Sequence, residues 1–331
     1  MDAAYAHLSP EQVLKAVESL GYHCDGRLLA LNSYENRVYR VGVDSNPDHP
    51  TGSIVAKFYR PGRWSNEQIL EEHSFTQLLA ELEIPVVAPI SQNGQTLHEV
   101  DGFRISVFPN RGGRAPDLED FDQLTLFGRF IGRIHRAAAS EAFKVRPSLD
   151  INSFGVQARE IVLSSGLLPN DLTEAYDTLT QQLLHDIALC YQRVPSLKLI
   201  RSHGDCHPSN VLWTPDGPHI VDFDDARMAP AIQDLWMFIA GDRADQTAAL
   251  DALLEGYTEF HEFDATELHL IEALRTLRLI HYFAWLSNRW EDPAFKRAFP
   301  WFNTQHTWES HILNLREQAA LLHEEPLTWM G

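Results

Sequence analysis

The sequence predicts an α+β protein of two lobes, a small antiparallel sheet within residues 1–108 and a larger, mainly helical part over residues 109–331, joined at 108–115. Three observations carry this. Apolar residues alternate in short runs between Leu28 and Phe108, separated by turn signals such as Asn93-Gly94 and Asp101-Gly102, the pattern of half-buried strands joined by tight turns. From Phe121 onward apolar residues recur every three or four positions, the period of a helix with one buried face. Between the helical stretches lies one sheet-like island, residues 199–226, whose polar loop and acidic end hold the chain's densest group of chemically capable side chains.

With 331 residues, 44% hydrophobic and 22% charged, the chain is long enough for two lobes around a sizeable core. A net charge of −19 argues against nucleic acid or an anionic membrane as a general partner. Cys24, Cys190 and Cys206 are scattered and odd in number, which offers no disulfide framework and fits a reducing cytoplasm. The opening residues lack a basic stretch followed by an apolar run, and nowhere do about eighteen apolar residues run together. Neither a secretory leader nor a membrane span is expected, so the protein is expected to be soluble and intracellular.

In chain order, Ser9-Pro10-Glu11-Gln12 supplies an N-cap, a proline at the first helical position and a capping box, so a helix starts here and ends at Gly21. Residues 28–31 and 37–41 read as strands with 32–36 as their turn. After a loop containing Pro47 and Pro50, a third strand, Ile54–Tyr59, carries Lys57 in an apolar run. Lysine is seldom buried without a partner, so an acidic group is expected beside it. The helix Asn66–Leu82 follows, with Glu71 and Glu72 at opposite edges of its apolar stripe. Strands Thr96–Val100 and Phe103–Phe108 complete a five-stranded antiparallel sheet, and Arg111-Gly112-Gly113-Arg114 continues as a polar link. Helices are predicted over 121–138, where Gly128 and Gly132 allow close packing, over 172–194, and from Asp264 and Glu267 towards Trp290. The aromatic residues that follow, Phe295, Phe299 and Trp301 among them, are read as core, or else as a pocket wall.

Within the island, His203-Gly204-Asp205 is followed by Asn210, Pro215-Asp216-Gly217 turns the chain, and the strand His219–Val221 delivers Asp222, Asp224 and Asp225 to its end. Asn210, Asp222 and Asp205 therefore converge. Magnesium takes one or two carboxylates, waters and substrate phosphates, so Asn210 and Asp222 suit a nucleotide-bound Mg2+. Asp205 is left unengaged; beside such a cation it stays ionised and can accept or orient the proton of an attacking hydroxyl. Whether Asp224 or Asp225 joins the metal shell stays open. Zinc is a competing reading of His203, Asp205, Cys206 and His207. One compact group lacks the separated ligand pairs of a structural zinc site, so His203 and His207 are read as shaping the loop.

The arrangement H-G-D-x-H-x-x-N followed by D-F-D-D-A resembles the aminoglycoside phosphotransferase and choline kinase branch of the protein-kinase-like fold, with Asp222-Phe223-Asp224 where eukaryotic protein kinases have Asp-Phe-Gly. The resemblance implies a bilobal fold that binds ATP between its lobes. It implies that the 32–36 turn covers the phosphates, with Ser33 in place of the usual glycines. It also implies that Lys57 grips the phosphates and is held by Glu72 in preference to Glu71, and that Phe108 marks the hinge where adenine meets the backbone. Asp234, in a segment similar to G-P-x-x-x-D-L, is implied to begin a helix and brace the catalytic loop, while His135 is read as structural. Only eleven residues separate Asp222 from Asp234, too few for an activation segment of protein-kinase length.

Six blocks, including LNSYENRVY at 31–39, KFYRPGRW at 57–64, HGDCH at 203–207 and AWLSNRW at 284–290, are similar to the bacterial stress response kinase A family. That resemblance implies a cytoplasmic, monomeric, ATP- and Mg2+-dependent enzyme that phosphorylates protein serines and threonines, with Asp205 and Asp222 as its catalytic residues. The wider branch implies a small-molecule alcohol instead, such as homoserine, choline or an aminoglycoside. A scaffold that holds nucleotide and transfers nothing is the third reading.

Overall fold

The computed structural model describes residues 5, 7–45, 50–329 and 331; the loop position Pro47 lies outside them, and Pro50 is in a turn. Helix α1 (Pro10–Ser19) starts with the Ser9–Gln12 capping box and lays Val13, Ala16 and Val17 on the sheet core. Strands β1 (Cys24–Leu31), β2 (Arg37–Val43) and β3 (Ser53–Phe58) are followed by α2 (Asn66–Glu81), β4 (His98–Val100) and β5 (Phe103–Pro109). The antiparallel sheet has the order β1-β2-β3-β5-β4, and its register sets Lys57 between Val38 and Ser106 in mid-sheet. The turns at Asn93-Gly94 and Asp101-Gly102 have positive φ at both positions, as tight hairpins of matching twist require.

Beyond Pro109 the chain is mainly helical: α3 (Phe121–Ala138), a π-turn leading into α4 (Gln157–Ser164), and α5 (Asn170–Gln192). Short strands β6 (Ile200–Ser202), β7 (Val211–Thr214), β8 (Gly217–Ile220) and β9 (Arg227–Ala229) form two antiparallel pairs, β6 with β9 and β7 with β8. Helices α6 (Arg243–Thr258), α7 (Ile271–Arg289), α8 (Pro293–Ala298) and α9 (Gln305–Leu321) complete the lobe. Among the described residues, no helix is long and apolar enough to cross a membrane.

One core lies under the sheet and a larger one fills the helical part. Helix α2 belongs by sequence to the first lobe, yet its Phe75 and Leu79 join the larger core, where Phe75 meets the edges of Phe143 and Phe223. A second tie is backbone: Val87 donates to Ile220 O (2.9 Å) and Ile220 to Pro85 O (2.8 Å), which fixes the end of β8 against the sheet lobe.

Two helix expectations change. The stretch opened by Asp264 first makes 3-10 turns over Ala265–Leu270 and turns α-helical at Ile271. Asp234 starts no helix: Ala231–Asp234 is a single 3-10 turn and α6 begins at Arg243, because the Asp234 carboxylate is spent on another segment's backbone rather than on capping its own. Phe295, Phe299 and Phe302 are core, whereas Trp301 is exposed and Trp285 faces the cleft.

Helices α3 and α6 cross glycine against carbonyl. A Cβ on Gly128 would run into Leu253 O, one on Gly132 into Tyr257 O, and one on Gly256 into Thr125 O. Gly132→Ala is therefore expected to destabilise the fold by about 1–3 kcal/mol, seen as a lower urea midpoint at unchanged m-value.

Candidate active site

The loop from His203 to Asn210 leaves β6 beside the segment that enters β9. Gly204 has φ +82° and sits against Asp225 O, where a Cβ would clash with that carbonyl. Asp234 holds the loop from beneath. Its fully buried carboxylate accepts from His203 N (2.7 Å) and Gly204 N (2.9 Å), and His135 Nε2 lies 3.1 Å away with Tyr257 Oη on the ring's other nitrogen. Burial works to raise its pKa, but the His135 bond and the other partners outweigh this and hold it below the ordinary aspartate value. His203 Nε2 donates to Val221 O (2.8 Å), His207 Nδ1 accepts from Ser209 N (3.2 Å), and burial pushes the Cys206 thiol well up. The two histidines thus hold loop backbone. Among the described residues, no group of three or more His, Cys, Asp or Glu is arranged to hold a metal by itself.

The turn that carries Asp234 rests on Glu267, a buried carboxyl that accepts from Ile232 N (2.9 Å). Burial pushes its pKa up to about 7, against the Ile232 hydrogen bond. Between the ordinary glutamate range and that value the folded chain holds a proton that the unfolded chain has released, so this group makes stability fall as pH rises. Glu267→Gln is expected to flatten the decline of Tm between about pH 5 and 7, measured by calorimetry.

Asp222 leaves β8 in the left-handed region (φ 62°, ψ 63°), a strained setting for a non-glycine residue, and its half-exposed carboxylate lines the cleft. Asn210 Nδ2 donates to Asp205 O (3.0 Å), which leaves the amide oxygen as the atom able to serve a cation. Asp205, Asn210, Asp222 and Ser33 line one cavity of about 680 Å3. Ser33 and Asp222 also border a narrower cavity of about 210 Å3, walled by Val38, Val55, Phe108 and Leu212, with Lys57 and Glu72 among its lining.

The partner of Lys57 differs from expectation. Its ammonium pairs with Asp222 (3.1 Å) and Asp224 (3.0 Å) rather than with Glu72. Burial disfavours the charge, yet Asp224 and Asp222 outweigh it and raise the lysine pKa well above normal. Glu72 is nevertheless the buried member of its pair. Its Oε2 has no hydrogen-bond partner, and burial, opposed by Lys57, lifts its pKa to about 7. Glu71 instead accepts from the backbone N–H groups of Lys144, Val145 and Arg146.

Two further carboxylates are already spoken for. Arg63 pairs with Asp224 and takes Asp225 in two contacts of 3.0 and 2.9 Å, and Arg227 reaches Asp225 at 2.7 Å. Burial raises both aspartates, but Arg63 above all overrides it and holds both below the normal range. Both thus face guanidinium groups in this arrangement, as Asp222 faces the Lys57 ammonium. Asp205 is not unengaged either: Arg278 of α7 pairs with its Oδ1, and His207 Nε2 lies 3.6 Å from Oδ2. Arg63 stood in the KFYRPGRW block without a role, and no local spacing pointed to Arg278.

The family model described as phosphotransferase enzyme family matches residues 27–271. The chain is 42% identical over 97% of its length, and 95% of theirs, to "Stress response kinase A" of Escherichia coli (strain K12) and "Serine/threonine protein kinase RdoA" of Salmonella typhimurium. Its fold is similar to amicoumacin kinase hAmiN in complex with AMP-PNP, Ca2+ and Ami (TM-score 0.70, 19% identity, 97% of this chain and 96% of that one). It is also similar to the microcompartment-associated aminopropanol kinase (TM-score 0.64, 18% identity, 94% and 96%). The chain belongs to the phosphotransferase enzyme family and, within it, to the stress response kinase A family, enzymes that move phosphate onto a hydroxyl.

Proposed function

We propose that the protein transfers the γ-phosphate of ATP, bound with Mg2+, to serine and threonine hydroxyls of protein substrates. Lys57, Asn210, Asp222 and Asp205 gathered around one cleft carry this proposal. The apolar end, between Val38, Val55, Phe108 and Leu212, suits adenine, and the 32–36 turn with Ser33 lies where phosphates would pass into the wider end. Lys57 pairs the phosphates, with Glu72 as the buried carboxylate behind it. Asn210 and Asp222 offer the hard oxygen donors of a Mg2+ site whose remaining positions need water and phosphate, and the ion supplies neutralisation of the phosphate oxygens when bound. Asp205 orients the acceptor hydroxyl and takes its proton as the new O–P bond forms in line with the breaking bond to ADP.

The protein acceptor rests on the relatives' names, and the outer cavity that would receive it is rimmed by the exposed rings of Tyr34 and Tyr282. A small-molecule alcohol is the second reading, favoured by the short Asp222–Asp234 span, which holds only β9 and two 3-10 turns. Incubation with γ-labelled ATP, casein and a panel of homoserine, choline and an aminoglycoside decides between them. Label on a small alcohol alone removes the protein acceptor, and label on nothing while AMP-PNP binds leaves a silent scaffold. The reading includes a cytoplasmic monomer, supported by the family resemblance and by three unpaired cysteines; a dimer mass in sedimentation removes that part.

A further inference from the structure

The residues that hold the phosphate-covering turn come from the far end of the chain. Glu35, the fourth residue of that turn, is 8% exposed although it lines the cleft. Trp285 Nε1 donates to its Oε1, and Arg289 Nε lies 3.1 and 3.3 Å from its two carboxylate oxygens. Arg60 Nε reaches Oε2 (3.1 Å) and also the Glu35 carbonyl (3.0 Å), while the same guanidinium pairs with Asp292 (2.7 Å). Beside it, the Tyr34 ring packs on Phe299 at 4.6 Å between centroids. Trp285, Arg289, Asp292 and Phe299 all lie beyond residue 271, where the match to the phosphotransferase enzyme family ends.

The five-residue turn joins the edge strand β1 to β2; Asn32 and Tyr34 are exposed, while Asn36 Oδ1 accepts from Arg60 N (3.1 Å) and Tyr5 Oη donates to Glu35 O (3.2 Å). The remaining restraints are charge-assisted hydrogen bonds to the Glu35 carboxylate, which is itself buried, and such bonds are stronger than neutral ones. We propose that residues 285–299 anchor the 32–36 turn through Glu35, so that Glu35, Trp285 and Arg289 are positioning residues for the nucleotide phosphates. The C-terminal helices thereby act on the nucleotide site as well as closing the acceptor side. Ser33 is the group they place.

This inference rests on the proposed nucleotide reading of the cleft, and the test separates the two. Binding of adenosine and of AMP-PNP with Mg2+ is measured by calorimetry for wild type, E35Q and the double variant W285F/R289Q. Adenosine reaches the apolar end and has no phosphates, so it reports whether the lobe is intact. Loss of a charge-assisted anchor is expected to weaken AMP-PNP by about tenfold or more in both variants, with adenosine within about twofold of wild type. Unchanged AMP-PNP affinity in either variant overturns the inference. So does a parallel loss of both ligands, which would make the network a general support of the lobe. A wild type that binds neither ligand overturns the nucleotide reading together with it.

Discussion

Asp205→Asn is expected to lower the rate of phosphate transfer by about 10²–10⁴-fold while AMP-PNP affinity stays within about twofold. Asparagine keeps the size of the side chain and can still meet Arg278, but it cannot take a proton from the acceptor hydroxyl. Asp205 stands on a loop whose backbone is held independently, by Asp234 on His203 N and Gly204 N and by His203 on Val221 O, so the change leaves the loop in place. Single-turnover transfer together with nucleotide calorimetry reads the two quantities separately. Turnover near wild type would remove Asp205 from the chemistry and leave it as the ionic partner of Arg278.

Lys57→Ala is expected to abolish most of the AMP-PNP-dependent rise in Tm and to lower the Tm of the ligand-free protein as well. Lys57 is the cation between Asp222 and Asp224, with Glu72 buried close by. Without it Asp224 keeps Arg63, but Asp222 loses its ion-pair partner and incoming phosphate meets uncompensated carboxylate charge. Breaking a buried pair by removing one partner typically costs about 3–5 kcal/mol, and the loss here is smaller because Arg63 stays on Asp224 and Asp222 is half-exposed. The ligand-induced shift follows from affinity, so titrating AMP-PNP over a wide range separates lost binding from lost stability. An undiminished shift would show that the phosphates are held elsewhere.

That Asp205, Asn210, Asp222 and Lys57 would share one cleft was legible in the sequence. Asp205, Asn210 and Asp222 come from one hairpin, and a short hairpin leaves few ways to place its ends. Lys57 was marked by its setting in an apolar strand, and Glu72 was preferred over Glu71 by pattern; the structure puts Glu72 inside and Glu71 on the 144–146 backbone. The direct Lys57–Glu72 pair failed for a specific reason: this chain has Asp224 where the better-known kinases have glycine, and that carboxylate lies nearer. The Asp234 helix failed because a side chain can cap its own helix or serve another loop, and the choice depends on what folds over it.

From the sequence alone came everything with a local cause: the capping box at Ser9, the two-residue turns, the alternation of the sheet, the glycine spacing of α3 and the order of the 203–222 hairpin. Backbone preferences and side-chain periodicity act over a few residues, so they are written in neighbouring positions. Only the tertiary structure decided which charges meet. Glu35 and Trp285 are 250 residues apart, Arg63 and Asp224 are 161 apart, and Arg278 and Asp205 are 73 apart. Such pairings arise when α2 and α7 bring side chains from distant parts of the chain to one cleft. A charge that folding buries, such as Asp224 or Glu35, is costly without a partner, and which partner is in reach is a property of the packed lobes.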